Sequence, residues 1–189
     1  NGLWTPNFRS GHGKILNLIS DPIFAMPRDR IKPELNFVMN FRTIIPERQA
    51  WLNGWPDGLP DSQLMMFTDG SKTAEGSGSG VFTLETETGY WRALGKLASV
   101  FQAETFAVLL GASETLPRDA VGQDVCIFSD SESMIKALMS PVVTSKLVKE
   151  CKEYLNEVGQ TNKITIVWVP GHSGVEGNEL ADEMARTGS

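Results

Sequence analysis

The sequence predicts an α/β fold in which a five-stranded mixed sheet is flanked by helices. Short apolar runs bounded by turn residues indicate buried strands, and longer segments with apolar residues at helical spacing indicate helices. Only turn segments separate the first three strands, so these strands are predicted to be antiparallel. Helices separate the later strands, and such crossovers place the fourth and fifth strands parallel to the first.

Each strand is predicted from an apolar run next to a turn signal. The first run ends at Asp69-Gly70, and the second follows the glycine–serine stretch 76–80. A hairpin turn at Thr86–Gly89 joins the second strand to the third. The fourth is a short apolar run, and the fifth is rich in β-branched residues. The predicted strands are Leu64–Thr68, Val81–Glu85, Tyr90–Leu97, Val125–Phe128 and Lys163–Val169.

The helices are predicted from apolar residues that recur every three or four positions. In the first helix these include Ala103, Phe106 and Leu110, and Pro117 lies just beyond its end. The predicted helices are Gln102–Leu116, Ser131–Met139, Ser145–Val158 and Gly177–Arg186.

Composition is that of a globular protein, with 41% hydrophobic and 21% charged residues. No apolar run is long enough to span a membrane and no signal peptide is visible, so we expect an intracellular protein, in the nucleus or cytoplasm. Cys126 and Cys151 lack metal-like spacing and are predicted to be buried thiols. The net charge of -6 argues against a nonspecific nucleic-acid binder, but clustered acids are what Mg²⁺ needs.

Residues 1–62 differ from the rest of the chain and are interpreted as an extension or linker from an upstream module. They carry seven Lys/Arg and six Asp/Glu, whereas the remainder carries ten and seventeen. Residue–proline pairs discourage long helices in this segment. They include Asp21-Pro22, Met26-Pro27, Lys32-Pro33, Ile45-Pro46 and Trp55-Pro56. The chain does not begin with Met, so we expect it to be part of a longer one. The segment's aromatic residues are expected to be ordinary core or docking residues: Phe37, Phe41, Trp51 and Trp55.

Four acids stand where the predicted fold brings them together. Asp69 follows the first strand and Asp130 follows the fourth, so adjacent parallel strands place them side by side. Glu104 opens the first helix and Asp182 lies in the last, from which both reach the same point. Singly, each has an ordinary structural explanation, such as a turn at Asp69-Gly70. Together they predict a site for divalent cations, because neighbouring carboxylates raise one another's pKa unless a cation neutralises them.

The motifs around these acids resemble those of the type 1 ribonuclease H family. They are Phe67-Thr-Asp-Gly-Ser71, Gln102-Ala-Glu-Thr105, Phe128-Ser-Asp-Ser131 and the long Pro170-Gly-His-Ser-Gly-Val-Glu-Gly-Asn-Glu-Leu-Ala-Asp182. The resemblance covers roughly residues 63–187 and looks most like the ribonuclease H domains of retrotransposons without long terminal repeats. It implies a ribonuclease H-like fold over residues 63–189, with 1–62 connecting it to a covalently linked reverse transcriptase.

The resemblance implies an endonuclease that hydrolyses the RNA strand of RNA/DNA hybrids, leaving 5′-phosphate and 3′-hydroxyl ends, in retroelement reverse transcription. It implies two Mg²⁺ ions, for which Mn²⁺ can substitute, held by the four acids, and catalytic assistance from His172. Asn178 matches a position that orients Asp182 or the loop. The residues expected to contact the hybrid are Ser71, Ser99, Gln102, Ser131 and Asn178.

Two departures from the family pattern concern substrate binding. Val100-Phe101 occupies positions where many cellular members of the family carry a pair of asparagines that help read the hybrid. The connection 139–144 lies where many cellular members carry a basic helix. We therefore expect weak hybrid affinity from the isolated domain. The alternative function is a catalytically silent ribonuclease H-fold module with a structural or nucleic-acid-binding role. Another nuclease or an integrase of the same broad fold is disfavoured by the long last motif.

Overall fold

The computed structural model describes residues 29–60 and 62–189, in which five strands and a 3-10 helix precede the first α-helix and strands then alternate with helices. The strands are β1 (Arg30–Leu35), β2 (Arg42–Ile44), β3 (Leu64–Lys72), β4 (Ser77–Thr83), β5 (Thr88–Gly95), β6 (Asp124–Ser129), β7 (Val142–Ser145) and β8 (Lys163–Trp168). The helices are α1 (Val100–Thr115), α2 (Glu132–Met139), α3 (Lys146–Val158) and α4 (Glu176–Thr187), with a 3-10 helix at Arg48–Asn53. Among these described residues, no helix has both the length and the apolarity that crossing a membrane requires.

The main sheet has the order β2-β8-β6-β3-β4-β5. β3, β4 and β5 are antiparallel neighbours, and β6 and β8 run parallel to β3, as predicted. The expected five strands are therefore present, and β2 adds a sixth by pairing in parallel with β8. The sequence signal for β2 is weak because the strand has only three residues at the edge of the sheet.

Alternate residues of the central strands supply two cores on opposite faces of the sheet. Met66 and Ile127 belong to the core under α1, α2 and α3. Phe67 and Phe128 belong to a second core on the other face, which also contains Ala181 of α4. Because both faces are covered, β3 and β6 read as continuous apolar runs rather than as alternating ones.

The described part of the upstream segment, residues 29–60, wraps around the domain, and we call it the belt. It begins with β1, which pairs with β7 in a separate two-stranded sheet. It then follows α3, where Lys152 Nζ donates to Asn36 O and Ser140 O, at 3.0 and 2.8 Å. Asn156 accepts from Asn40 N through its side-chain oxygen at 2.8 Å. Residues 1–28, which the linker interpretation also covered, lie outside the described residues.

The last part of the belt covers the second core. Trp51 is buried in that core, and the Trp55 ring lies 5.1 Å from Phe128, centroid to centroid. Phe41 is buried on the other face, whereas Phe37 is 76% exposed. Phe41 and Trp51 are thus core residues of this domain, and they belong to the cores on opposite faces of the sheet.

Candidate active site

Asp69 lies inside β3 rather than at its end. The predicted strand stopped at Thr68, but β3 continues to Lys72 because β4 pairs with it that far, with Asp69 opposite Gly80. On its other side, the pairing of β3 with β6 stops at Thr68 and Ser129. Asp69 and Asp130 are the next residues on these two parallel strands, so they emerge side by side, as expected. The Trp168 indole donates to Asp130 O at 3.1 Å and anchors that backbone.

Glu104 reaches the site from α1, which lies against β3. A Cβ atom added to Gly70 would come within 3.0 Å of backbone atoms of Ala103 and Glu104, so the missing side chain permits this contact. Glu104 is 6% exposed and Asp69 is 8% exposed. One oxygen from each of Asp69, Glu104 and Asp130 lies within 4.8 Å of the other two.

The fourth acid, Asp182, comes from α4. Its Oδ2 forms an ion pair of 2.7 Å with Arg186 Nη2, one helical turn further on. A ligand oxygen of Asp182 also lies within 4.8 Å of potential ligand atoms of His172 and Glu179. The site therefore continues from the buried acids to an exposed group on α4 and the preceding loop.

These acids line one open pocket of about 450 Å³. Its lining residues are Asp69, Gly70, Ser71, Lys72, Thr73, Glu104, Asp130, His172, Asn178, Asp182 and Arg186. All five predicted catalytic residues are brought together in it. Lys72 and Arg186 in this lining, and Glu179 beside Asp182, were not predicted from the sequence. Helical spacing was the available signal for Glu179 and Arg186, which lie three and four residues from Asp182.

Burial, together with repulsion between neighbouring carboxylates, raises the pKa values of Asp69, Glu104 and Asp130. Burial, followed by repulsion from Asp130 and Asp182, raises the pKa of Asp69 to about 7. Burial and repulsion from Asp69 and Asp130 raise the pKa of Glu104 well above its usual range. Burial also raises the pKa of Asp130, while nearby His172 and a hydrogen bond from Asn178 oppose that rise.

Two buried oxygens indicate what the cluster fits. Glu104 Oε2 and Asn178 Oδ1 find no hydrogen-bond partner within the described ranges 29–60 and 62–189. A buried oxygen without a partner is costly, and so is a group of carboxylates without a counter-ion. A hard divalent cation such as Mg²⁺ or Mn²⁺ binds this kind of all-oxygen donor set, so the residues fit such an ion.

His172 lies on the loop between β8 and α4 and is exposed at the mouth of the pocket. Its φ of 50° is in the left-handed region, which histidine adopts more readily than most residues. The neighbouring Gly171 backbone lies against Asp130, because an added Cβ would fall within 3.0 Å of Asp130 Oδ2. The loop thus places an ionisable ring beside the acids.

The expected hybrid contacts divide into two groups. Ser71 and Asn178 line the pocket, and Asn178 is 3% exposed. Ser99 and Gln102 form the capping box of α1, in which Gln102 N donates to Ser99 Oγ at 3.2 Å and Ser99 N to Gln102 Oε1 at 2.8 Å. Ser131 Oγ lies 3.4 Å from Ser133 Oγ. Among the described residues, the pocket lining includes none of these last three predicted contacts.

The two departures from the family pattern also have definite places. Val100 is the first residue of α1 and is 45% exposed. The connection between α2 and α3 contains β7, which β1 of the belt pairs with. In the described structure, the connection that was expected to lack a basic helix therefore forms a strand that pairs with the belt.

A mixed sheet flanked by four helices, with acids converging beside its central strands, defines a ribonuclease H-like α/β protein. The sequence model of the RNase H family matches residues 61–189, about two thirds of the chain, and the chain belongs to this family. Membership implies a nuclease hydrolase that acts on RNA/DNA hybrids.

Proposed function

We propose that the protein is an endonuclease that hydrolyses the RNA strand of RNA/DNA hybrids. The observation that carries this proposal is the convergence of Asp69, Glu104 and Asp130, from three different elements, within 4.8 Å in an open pocket. Water attacks phosphorus, the bond from phosphorus to the 3′ oxygen breaks, and that oxygen takes up a proton. The products are 5′-phosphate and 3′-hydroxyl ends.

The reaction is proposed to depend on two Mg²⁺ ions, with Mn²⁺ as a substitute. Asp69, Glu104, Asp130 and Asp182 would hold them, since these side chains supply the oxygen ligands of the pocket. When bound, such ions activate water and stabilise the leaving oxygen. Arg186, already paired with Asp182, keeps a positive charge at the edge of the site where a phosphate would enter.

His172 is proposed to transfer a proton near the leaving oxygen or to assist product release. It is exposed at the pocket mouth, and an imidazole ring can both accept and donate a proton, which suits either role. Asn178 is proposed to orient Asp130, because its buried side chain hydrogen-bonds that carboxylate. Ser71 lines the pocket and is proposed to contact the hybrid there.

We further propose that the domain works in retroelement reverse transcription, joined through residues 1–62 to a reverse transcriptase. Support comes from the motifs around the four acids and from the belt, which docks the described end of the upstream segment onto the domain. Residues 63–189 carry ten Lys/Arg and seventeen Asp/Glu, so weak hybrid binding by this domain is expected. Hybrid binding whose salt dependence indicates many phosphate contacts would contradict this expectation.

The test is cleavage of an RNA/DNA hybrid labelled on either strand, with Mg²⁺, Mn²⁺ or a chelator. Asp69→Asn is compared with Asp119→Asn, the same change at an exposed position in the turn after α1. We expect cleavage of the RNA strand alone, lost with the chelator and in Asp69→Asn but kept in Asp119→Asn. A folded parent that leaves the hybrid intact, even with an upstream polymerase module supplied, would favour the silent module instead.

A further inference from the structure

Two glycines of β4 bring the backbone of α4 directly onto the sheet. A Cβ atom added to Gly80 would lie less than 3.0 Å from Ala181 O and Ala185 N. One added to Gly78 would lie equally close to Ala185 O. Real Cβ atoms essentially never come closer than 3.0 Å to such atoms. Helix and strand are therefore in backbone contact, because neither glycine has a side chain to hold them apart.

Gly80 also lies between two acids of the site. It pairs directly with Asp69 in the antiparallel ladder of β3 and β4, so both positions belong to the same face of the sheet. Helix α4 covers that face, and Ala181, whose carbonyl approaches Gly80, immediately precedes Asp182. The absence of a side chain at Gly80 thus lets the helix that carries Asp182 approach the sheet directly beside Asp69.

We propose that Gly80 is a positioning residue for Asp182. By lacking a Cβ atom, it sets how far Asp182 stands from Asp69 and so how well the two carboxylates share a divalent cation. This inference rests on the proposed function only in taking that cation to be the one used for cleavage. A larger residue must displace α4 by on the order of 1 Å, and such a misplacement costs about 10²-fold in rate.

The experiment compares Gly80→Ala with Gly76→Ala in the full chain. Gly76 is the matched control, because its added Cβ would lie 3.5 Å from Gly95 C, an ordinary contact. Mn²⁺ affinity is measured by calorimetry without nucleic acid, and kcat and KM are measured on the hybrid. We expect Gly80→Ala to weaken Mn²⁺ binding about 10-fold or more. Its kcat should fall about 10²-fold with little change in KM, while Gly76→Ala matches the parent.

Urea unfolding shows whether each variant folds. If Gly80→Ala does not fold, Gly78→Ala is tested instead, because its added Cβ would press on Ala185 O of the same helix, about one turn beyond Asp182. Its Mn²⁺ affinity should then fall below that of Gly76→Ala. Parental Mn²⁺ affinity in the folded test variant would overturn the inference. Weakened Mn²⁺ binding in Gly80→Ala, with a parent that binds Mn²⁺ but leaves the hybrid uncut, would support this inference and reject the nuclease proposal.

Discussion

Gly70 lies directly against the backbone of Glu104, so closely that the strand and the helix touch without an intervening side chain. The contact brings Glu104 next to β3, and its carboxylate lies in a group with those of Asp69 and Asp130. Since Glu104 is 6% exposed, water screens little of the repulsion. The protein therefore stores electrostatic strain at the place where a cation would relieve it.

Replacing Glu104 with glutamine should separate stability from activity. Gln keeps the shape of the side chain but removes its charge, so repulsion falls and the metal-free protein should unfold at a temperature a few degrees higher, equivalent to about 1 kcal/mol. The rate of hybrid cleavage should fall by at least about 10²-fold, because removing a metal ligand costs more activity than removing a residue that only hydrogen-bonds a ligand. Calorimetry in chelator and a cleavage assay check the two effects. A variant less stable than the parent without metal would contradict the repulsion argument.

The stability of the metal-free protein should depend on pH through Asp69. Its pKa rises from 3.8 to about 7 in the fold, so between these values the folded state binds more protons than the unfolded state. The contribution of Asp69 to the free energy of unfolding is therefore favourable at low pH and is lost as pH rises towards 7.

Thermal unfolding from pH 4 to 8 in chelator measures this contribution as the difference between the parent and Asp69→Asn. The difference should favour Asp69→Asn increasingly towards pH 7, and Mg²⁺ should stabilise only the parent. Parallel curves for the two proteins would mean that Asp69 titrates normally.

The belt should be needed for a stable domain. Trp51, on the 3-10 helix, packs in the core that contains Phe67 and Phe128, so Trp51→Ala should lower the free energy of unfolding by about 3–5 kcal/mol. Leu52, its neighbour on the same helix, is 79% exposed, and Leu52→Ala should change the free energy of unfolding by less than about 0.5 kcal/mol. Urea unfolding checks both. A fragment of residues 61–189 as stable as the whole chain would show that the belt is dispensable.

Lys152 should hold the belt to α3. Lys152→Met leaves the partly buried carbonyls of Asn36 and Ser140 without the ammonium donor of Lys152. We expect the free energy of unfolding to fall by about 1–3 kcal/mol and hydrogen exchange in residues 36–40 to become faster. Lys149→Met on the same helix breaks only a surface ion pair with Glu34 and should cost less than about 1 kcal/mol. Equal effects of the two substitutions would refute a special role for Lys152.

His172 should affect the reaction but not metal binding. His172→Ala and His172→Asn should both lower kcat by about 10²-fold, since neither side chain transfers a proton near neutral pH. Asn readily adopts the left-handed backbone found here, so it controls for a change in loop shape. Single-turnover and steady-state cleavage distinguish proton transfer from product release. Activity retained in His172→Asn but lost in His172→Ala would assign the residue to loop conformation alone.

Much of this protein was predictable from local sequence. Five strands and four helices each leave an apolar periodicity or a turn signal that can be recognised within a short stretch of sequence. The short turns and helical crossovers between them predicted the strand directions, which the structure confirms. The convergence of Asp69 and Asp130 follows from the same reasoning, because adjacent parallel strands end together.

Tertiary structure alone decided the remainder, since it depends on partners distant in the chain. Nothing local to Gly70 reveals that β3 continues to Lys72, because that depends on pairing with β4. Ser99 and Gln102 were predicted to contact the hybrid, but their side chains hydrogen-bond each other's backbone N–H groups in the capping box of α1. The contacts between the belt and the domain, such as that between Asn40 and Asn156, join residues more than a hundred positions apart, so no local pattern predicts them. Periodicity reports which face of an element is apolar, but not which other segment covers it.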